Sequence, residues 1–122
     1  MNIYIAAKFE MRPVLRALVP QIRSLGHAIT ATWISREEMH LPQSMIAIDD
    51  LDGIEEADLL ILDSTFSGGS GREVELGYAL AKGKRIWMIG PAVNVFHHHQ
   101  DIIHFNDWQQ VMKQLQEESN AG

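Results

Sequence analysis

Ser67-Gly68-Gly69-Ser70-Gly71-Arg72-Glu73-Val74-Glu75-Leu76-Gly77-Tyr78-Ala79 follows closely on the apolar run Ala57-Asp58-Leu59-Leu60-Ile61-Leu62-Asp63. The run reads as a buried strand, the glycines as a turn, and the segment after them as a helix with two acids in its first turns. A strand, a glycine turn and a helix N-terminus together form a recess where backbone N–H groups hold a phosphate or other electron-rich group. A carboxylate on that helix reaches toward the same ligand.

Outward from this stretch, strands and helices alternate. Residues 2–7 form an apolar first strand. Residues 13–25 carry Val14, Leu15, Leu18, Val19, Ile22 and Leu25 at helical spacing, with Pro13 suited to the first turn and Gly26 to the end. Pro20 falls inside that helix and predicts a kink or irregular turn. A second strand is expected over 28–33, then a polar connection over 34–42. A helix over 45–56 follows, with Ile46, Ile48, Leu51 and Ile54 as apolar positions and Asp49, Asp50 and Asp52 as an acidic cluster. The third strand spans 58–63, the third helix 72–82, the fourth strand 84–89 and a short edge strand 102–105. Trp108, Val111, Met112 and Leu115 mark a last amphipathic helix. The domain is expected over 1–116, with a polar tail at 117–122.

Parallel neighbours need crossover connections, so this alternation predicts an α/β fold. The expected form is a doubly wound parallel sheet of four to five strands, a flavodoxin-like three-layer sandwich with strand order 2-1-3-4-5. Ligands of such sheets sit beyond the carboxyl ends of the strands, at the switch point between strands one and three. Ala6-Ala7-Lys8-Phe9 and residues 64–71 meet there, so topology and the glycine turn select the same corner.

Composition narrows the partners. Ten Lys and Arg against sixteen Asp and Glu leave a net charge of −6, which argues against a general nucleic-acid surface. No cysteine is present for a disulfide or a thiolate metal site. Nor does any long apolar span suggest a membrane segment, so a soluble cytoplasmic protein with a small-molecule partner is expected. The glycine turn lacks the Lys-Ser/Thr ending of a P-loop, and a dinucleotide fingerprint belongs after the first strand.

What remains is Gly71-x-x-x-Glu75-x-Gly77-x-Ala79, with Ile3-Tyr4-Ile5-Ala6 on the first strand, the acidic helix ahead of Ala57-Asp58, and Pro91-Ala92-Val93-Asn94-Val95 after the fourth strand. This set resembles the nucleoside 2-deoxyribosyltransferase family and its relatives that hydrolyse the N-glycosidic bond of nucleotides. The resemblance runs from Tyr4 to about Trp108. It implies that Glu75 is the nucleophile that takes the sugar and that Tyr4 lies close to it. It places Phe9 on the wall of the pocket, Asp50 near the base or sugar, and Asn94 where a neighbouring subunit lends it to the site. A homodimer or higher homo-oligomer follows from that last role. No cofactor is implied. The loop Ser67-Gly68-Gly69-Ser70 has no acid to contact a base and is more similar to the nucleotide-hydrolysing branch, where such groups hold a 5′-phosphate.

The expected substrate contacts are therefore Ala6, Lys8, Phe9, Asp50, Asp63, Ser67, Gly69, Ser70, Gly71 and Asn94, with Glu75 and Tyr4 catalytic. Read from position alone, Glu73 and Glu75 both complement the helix dipole, and the wheel turns Glu75 toward Lys82 on the polar side, leaving Glu73 as the reserve nucleophile. A carboxylate there is expected to stay ionised. Asp63 either binds sugar hydroxyls or caps the loop. Consecutive His97, His98 and His99 cannot all point one way, so no metal site is expected. A non-catalytic nucleotide-binding module on the same fold is the alternative to an enzyme.

Overall fold

The computed structural model describes residues 1–37 and 41–121. Five parallel strands, β1 (Asn2–Ala6), β2 (Ala28–Ile29), β3 (Leu59–Asp63), β4 (Arg85–Ile89) and β5 (Ile102–Phe105), form one sheet in the order β2-β1-β3-β4-β5. Ile3 lies beside Leu59 and Ala6 beside Leu62, and β3 is buried along its whole length. Helices α1 (Arg12–Ser24), α2 (Gln43–Glu56), α3 (Ser70–Ala81) and α4 (Trp108–Ala121) cover it. Crossovers between parallel strands are right-handed, so α1, leading from β1 outward to β2, and α2, leading back to β3, fall on opposite faces. α2 packs on α3, while the His27 ring lies 3.0 Å from the Leu115 carbonyl and ties the end of α1 to α4. This is the three-layer sandwich expected from the alternation of strands and helices.

Several elements differ from their expected form. β2 has two residues rather than six. Trp33 donates its indole N–H to the Ile5 carbonyl at 2.9 Å, and the chain turns there through a 3-10 turn, Thr32–Ile34, over the end of β1. α1 continues unbroken through Pro20, whose ring is on the exposed side, so the lost helical bond faces water. In α2 only Ile54 of the four expected apolar positions is fully buried, and Ile48 is exposed. Residues 38–40 of the polar connection lie outside the described residues. α4 continues through 117–121, where Glu118 pairs with Arg85 at 2.8 Å and Ser119 donates to the Leu25 carbonyl, so that polar segment is the helix's last turns. No helix among the described residues is long and apolar enough to cross a membrane.

Candidate active site

A cleft of about 570 Å³ opens at the carboxyl ends of β1 and β3, where the strand order reverses. Tyr4, fully buried on β1, lies behind its wall. Gly53 of α2 lies on the Tyr4 ring. A Cβ there would stand 2.7 Å from the Thr30 carbonyl and 3.1 Å from that ring, so only glycine lets α2 come this close.

The glycine turn sets the direction of α3. Gly68 and Gly69 both take positive φ, near +89° and +87°, which other residues rarely adopt, and Gly69 caps the helix that starts at Ser70. Arg72 pins the turn from beneath. Its buried guanidinium donates to the carbonyls of Asp63 and Phe66 at 3.1 and 2.7 Å. From that start Glu75 faces β1, where the Tyr4 hydroxyl donates to its carboxylate. The helix wheel pointed Glu75 toward Lys82 and the polar side; tertiary packing turns that side into the cleft wall, and Lys82 pairs instead with Glu55 at 3.2 Å.

Burial pushes Glu75 up to about 7, and the charge of Asp50 adds to the effect, while the hydrogen bond from Tyr4 opposes it. Glu75 is six residues into α3, beyond the first turn over which the dipole acts, so desolvation wins over the expected ionising influence of the helix. Tyr4 is pushed far above the ordinary phenol value by burial and then by Glu75, so its hydroxyl keeps its proton and stays a donor.

Asp50 lines the same cleft. Arg36, just beyond the Thr32–Ile34 turn, bonds it at 3.1 Å and Asp49 at 2.7 Å. Lys8, Phe9, Gly69, Ser70 and Gly71 complete the wall, with the Arg12 guanidinium 4.5 Å from the centre of the exposed Phe9 ring. The structure thus brings Glu75, Tyr4, Asp50, Lys8, Phe9 and the start of α3 together.

Four expected contacts stand elsewhere. Ala6 is buried in the sheet, and Ser67 is exposed on the glycine turn without lining the cleft. Asp63 spends one oxygen on the Thr65 N–H and hydroxyl, at 2.9 and 2.6 Å, and the other on the Trp108 indole N–H at 2.7 Å. Asn94 accepts from Phe96 N and His97 N and caps a 3-10 turn, Val95–His98. Glu73, the reserve nucleophile, is turned away to His97. The Val93 N–H donates to His97 Nδ1 at 3.1 Å, which leaves the proton on Nε2 to donate to Glu73 at 2.9 Å. Among the described residues no three His, Asp or Glu side chains are grouped to hold a metal ion.

Sequence reasoning passed over Arg36 and Arg72. Arg36 lies in a connection with no periodicity, and Arg72 looks like any charged residue of a first turn. Nothing local marks Arg72 as buried or Arg36 as paired with Asp50 at the site.

Sheet order and strand direction define a flavodoxin-like three-layer α/β protein, with a cleft at the switch point beside the tyrosine–glutamate pair. No family model and no curated protein matches the sequence. Solved structures do match in fold. The CMP N-glycosidase BcmB from Clostridium botulinum aligns over 94% of this chain and 98% of its own, with a TM-score of 0.71 at 20% identity. A 2-desoxiribosyltransferase from Leishmania mexicana aligns over 95% and 97%, at 0.77 and 16% identity. A conserved protein from Enterococcus faecalis V583 aligns over 97% and 98%, also at 0.77 and 16%. The likeness is one of fold, and two of these neighbours are of the kind that the Glu75 motif resembles.

Proposed function

We propose that this protein cleaves or transfers at the N-glycosidic bond of a nucleoside, deoxynucleoside or nucleoside 5′-monophosphate through a covalent glycosyl-Glu75 intermediate. The observation that carries the reading is the hydrogen bond from buried Tyr4 to Glu75, a carboxylate that lines an open cleft. Breaking a bond from C1′ to a base nitrogen builds oxocarbenium character on the sugar, which a facing carboxylate stabilises and then traps. Glu75 attacks C1′ as the base departs with the bonding pair and takes a proton from solvent. Water then adds to C1′, one of its protons passes to solvent, and the Glu75 carboxylate is released; a second base in place of water gives transfer. With Glu75 near 7, about half of it is ionised and nucleophilic at neutral pH.

A 5′-phosphate fits the other end of the cleft. Lys8, Ser70 and the N-terminus of α3 lie there, and the Nε of buried Arg72, which among the described residues has no hydrogen-bond partner and stands 3.6 Å from Glu73 Oε1, is close to Gly69. Self-association belongs to the same reading. Val93, Val95 and Phe96 around Asn94 are each more than half exposed, and the Glu73–His97 contact sets this turn beside α3.

Product analysis with a panel of nucleosides, deoxynucleosides and their monophosphates, with and without an added acceptor base, tests the proposal. Wild type should release free base or exchange it, and Glu75→Gln should lose that activity by several powers of ten. Binding without turnover would replace the enzyme with a nucleotide-binding module. A monodisperse monomer at assay concentration would remove the partner-borne Asn94.

A further inference from the structure

We propose that Arg36 is a positioning residue of the Glu75 site, holding the Asp50 carboxylate in the cleft wall in the charged form that receives the sugar of the substrate. The proposal rests on the glycosidic reading for the word substrate, and on geometry for the rest.

Arg36 is set by its own backbone. Its N–H donates to the Thr32 carbonyl at 3.0 Å, Arg16 of α1 donates to the Ile34 carbonyl at 2.8 Å, and the Arg12 guanidinium donates to the Arg36 carbonyl. Two arginines of a core helix thus fix the segment. From there one terminal nitrogen of Arg36 reaches Thr32 Oγ1 at 3.0 Å, Asp49 at 2.7 Å and Asp50 at 3.1 Å.

The two aspartates stand in different surroundings. Asp49 is 51% exposed, and an ion pair with it contributes little in water. Asp50 is 24% exposed and Arg36 only 16%, so here the charges meet with much of their hydration removed. Burial pushes Asp50 above the ordinary carboxylate value, Asp49 adds to the rise, and Arg36 opposes it and limits it.

A second carboxylate beside the nucleophile works against ionising Glu75, because the charge of Asp50 raises both Glu75 and Tyr4. Arg36 offsets that charge and lets both carboxylates be ionised together. The ionisable groups that bear on Asp50 are Tyr4 of β1, Glu75 of α3, Arg36 beyond the 3-10 turn and Asp49 on its own helix. Lys8, Glu10, Arg12, Glu37 and Arg72 line the same cleft and are unchanged in every variant compared below.

The test compares wild type, Arg36→Gln, Arg36→Lys and Arg36→Gln/Asp50→Asn by the pH dependence of kcat/KM for base release and by carboxyl-carbon NMR titration of Asp50. In wild type the acid limb should have slope one, from Glu75. In Arg36→Gln it should steepen to slope two. The loss should grow as pH falls, approaching about tenfold per pH unit below the Asp50 midpoint, and should fade at high pH. The Asp50 titration should move upward. Lysine should restore slope one, and removing Asp50 should abolish the second ionisation. A loss that is the same at every pH, or an Asp50 midpoint unmoved by Arg36→Gln, would overturn the proposal, since an arginine serving only to staple the segment to α2 predicts that pattern. If wild type turns over nothing, the glycosidic reading falls, and the Asp50 titration still decides whether Arg36 holds that carboxylate charged.

Discussion

Tyr4→Phe isolates one hydrogen bond. The ring is buried on β1 and phenylalanine fills the same space, so the change removes little but the hydroxyl that donates to Glu75. A hydrogen bond to a charged acceptor is worth about 1.5–3 kcal/mol, and each 1.36 kcal/mol is one pKa unit. Losing it should raise Glu75 from about 7 to about 8 or 9, nearer 8 because the carboxylate borders an open cleft. At pH 7 the ionised fraction then falls from about half to between a tenth and a hundredth, roughly a 5- to 50-fold loss of kcat/KM. The rate should return toward wild type above pH 9.5. The assay is the pH profile of base release, with the Glu75 carboxyl followed by NMR in the same buffers. An acid limb still centred near 7, or a deficit equal at pH 6 and pH 10, would refute the idea that Tyr4 acts through the ionisation of Glu75.

Glu75→Gln should stabilise the fold while it abolishes turnover. An acid raised from 4.5 to about 7 on folding is a burden only when ionised, so the cost is absent below 4.5, grows up to about 7 and is full above it. That gap corresponds to about 3 kcal/mol. The variant should melt several degrees above wild type at pH 8 and alongside it at pH 4; equal melting at both would count against a strained Glu75. Asp63→Asn should cost about 1–3 kcal/mol in denaturant melts, since one of its oxygens becomes a donor facing Trp108 or Thr65 N–H groups. The kcat/KM of the folded protein should not change, and a specific rise in KM would return Asp63 to the substrate. Gly53→Ala should destabilise despite the better helix residue. Overpacking against Thr30 and Tyr4 costs about 1–3 kcal/mol and outweighs the roughly 1 kcal/mol gained in propensity. A more stable alanine variant would show that α2 has room to shift.

Much of this protein is legible locally. Apolar runs of strand length, helical spacing in between and glycine punctuation at Gly26, Gly83 and Gly90 are properties of neighbouring residues, so the alternation and hence the sheet order could be read in one dimension. The resemblance carried by the spacing from Gly71 through Glu75 to Gly77 singled out the nucleophile candidate although the helix wheel placed it on the polar side. Tertiary packing decided the rest. Which side of α3 is the polar one that matters depends on where β1 ends, and only the folded sheet sets Tyr4 under Glu75 and Glu73 against His97. β2 stops after two residues because Trp33 finds the Ile5 carbonyl, a partner 28 residues away. The ionisation of Glu75 is likewise a tertiary property, since sequence supplies the acid and its helix, while burial and the distance to Asp50 set its proton affinity. Arg36 and Arg72 were silent in the sequence for the same reason. Their charges gain meaning from what surrounds them, and hydration and partnership are fixed only when distant segments meet.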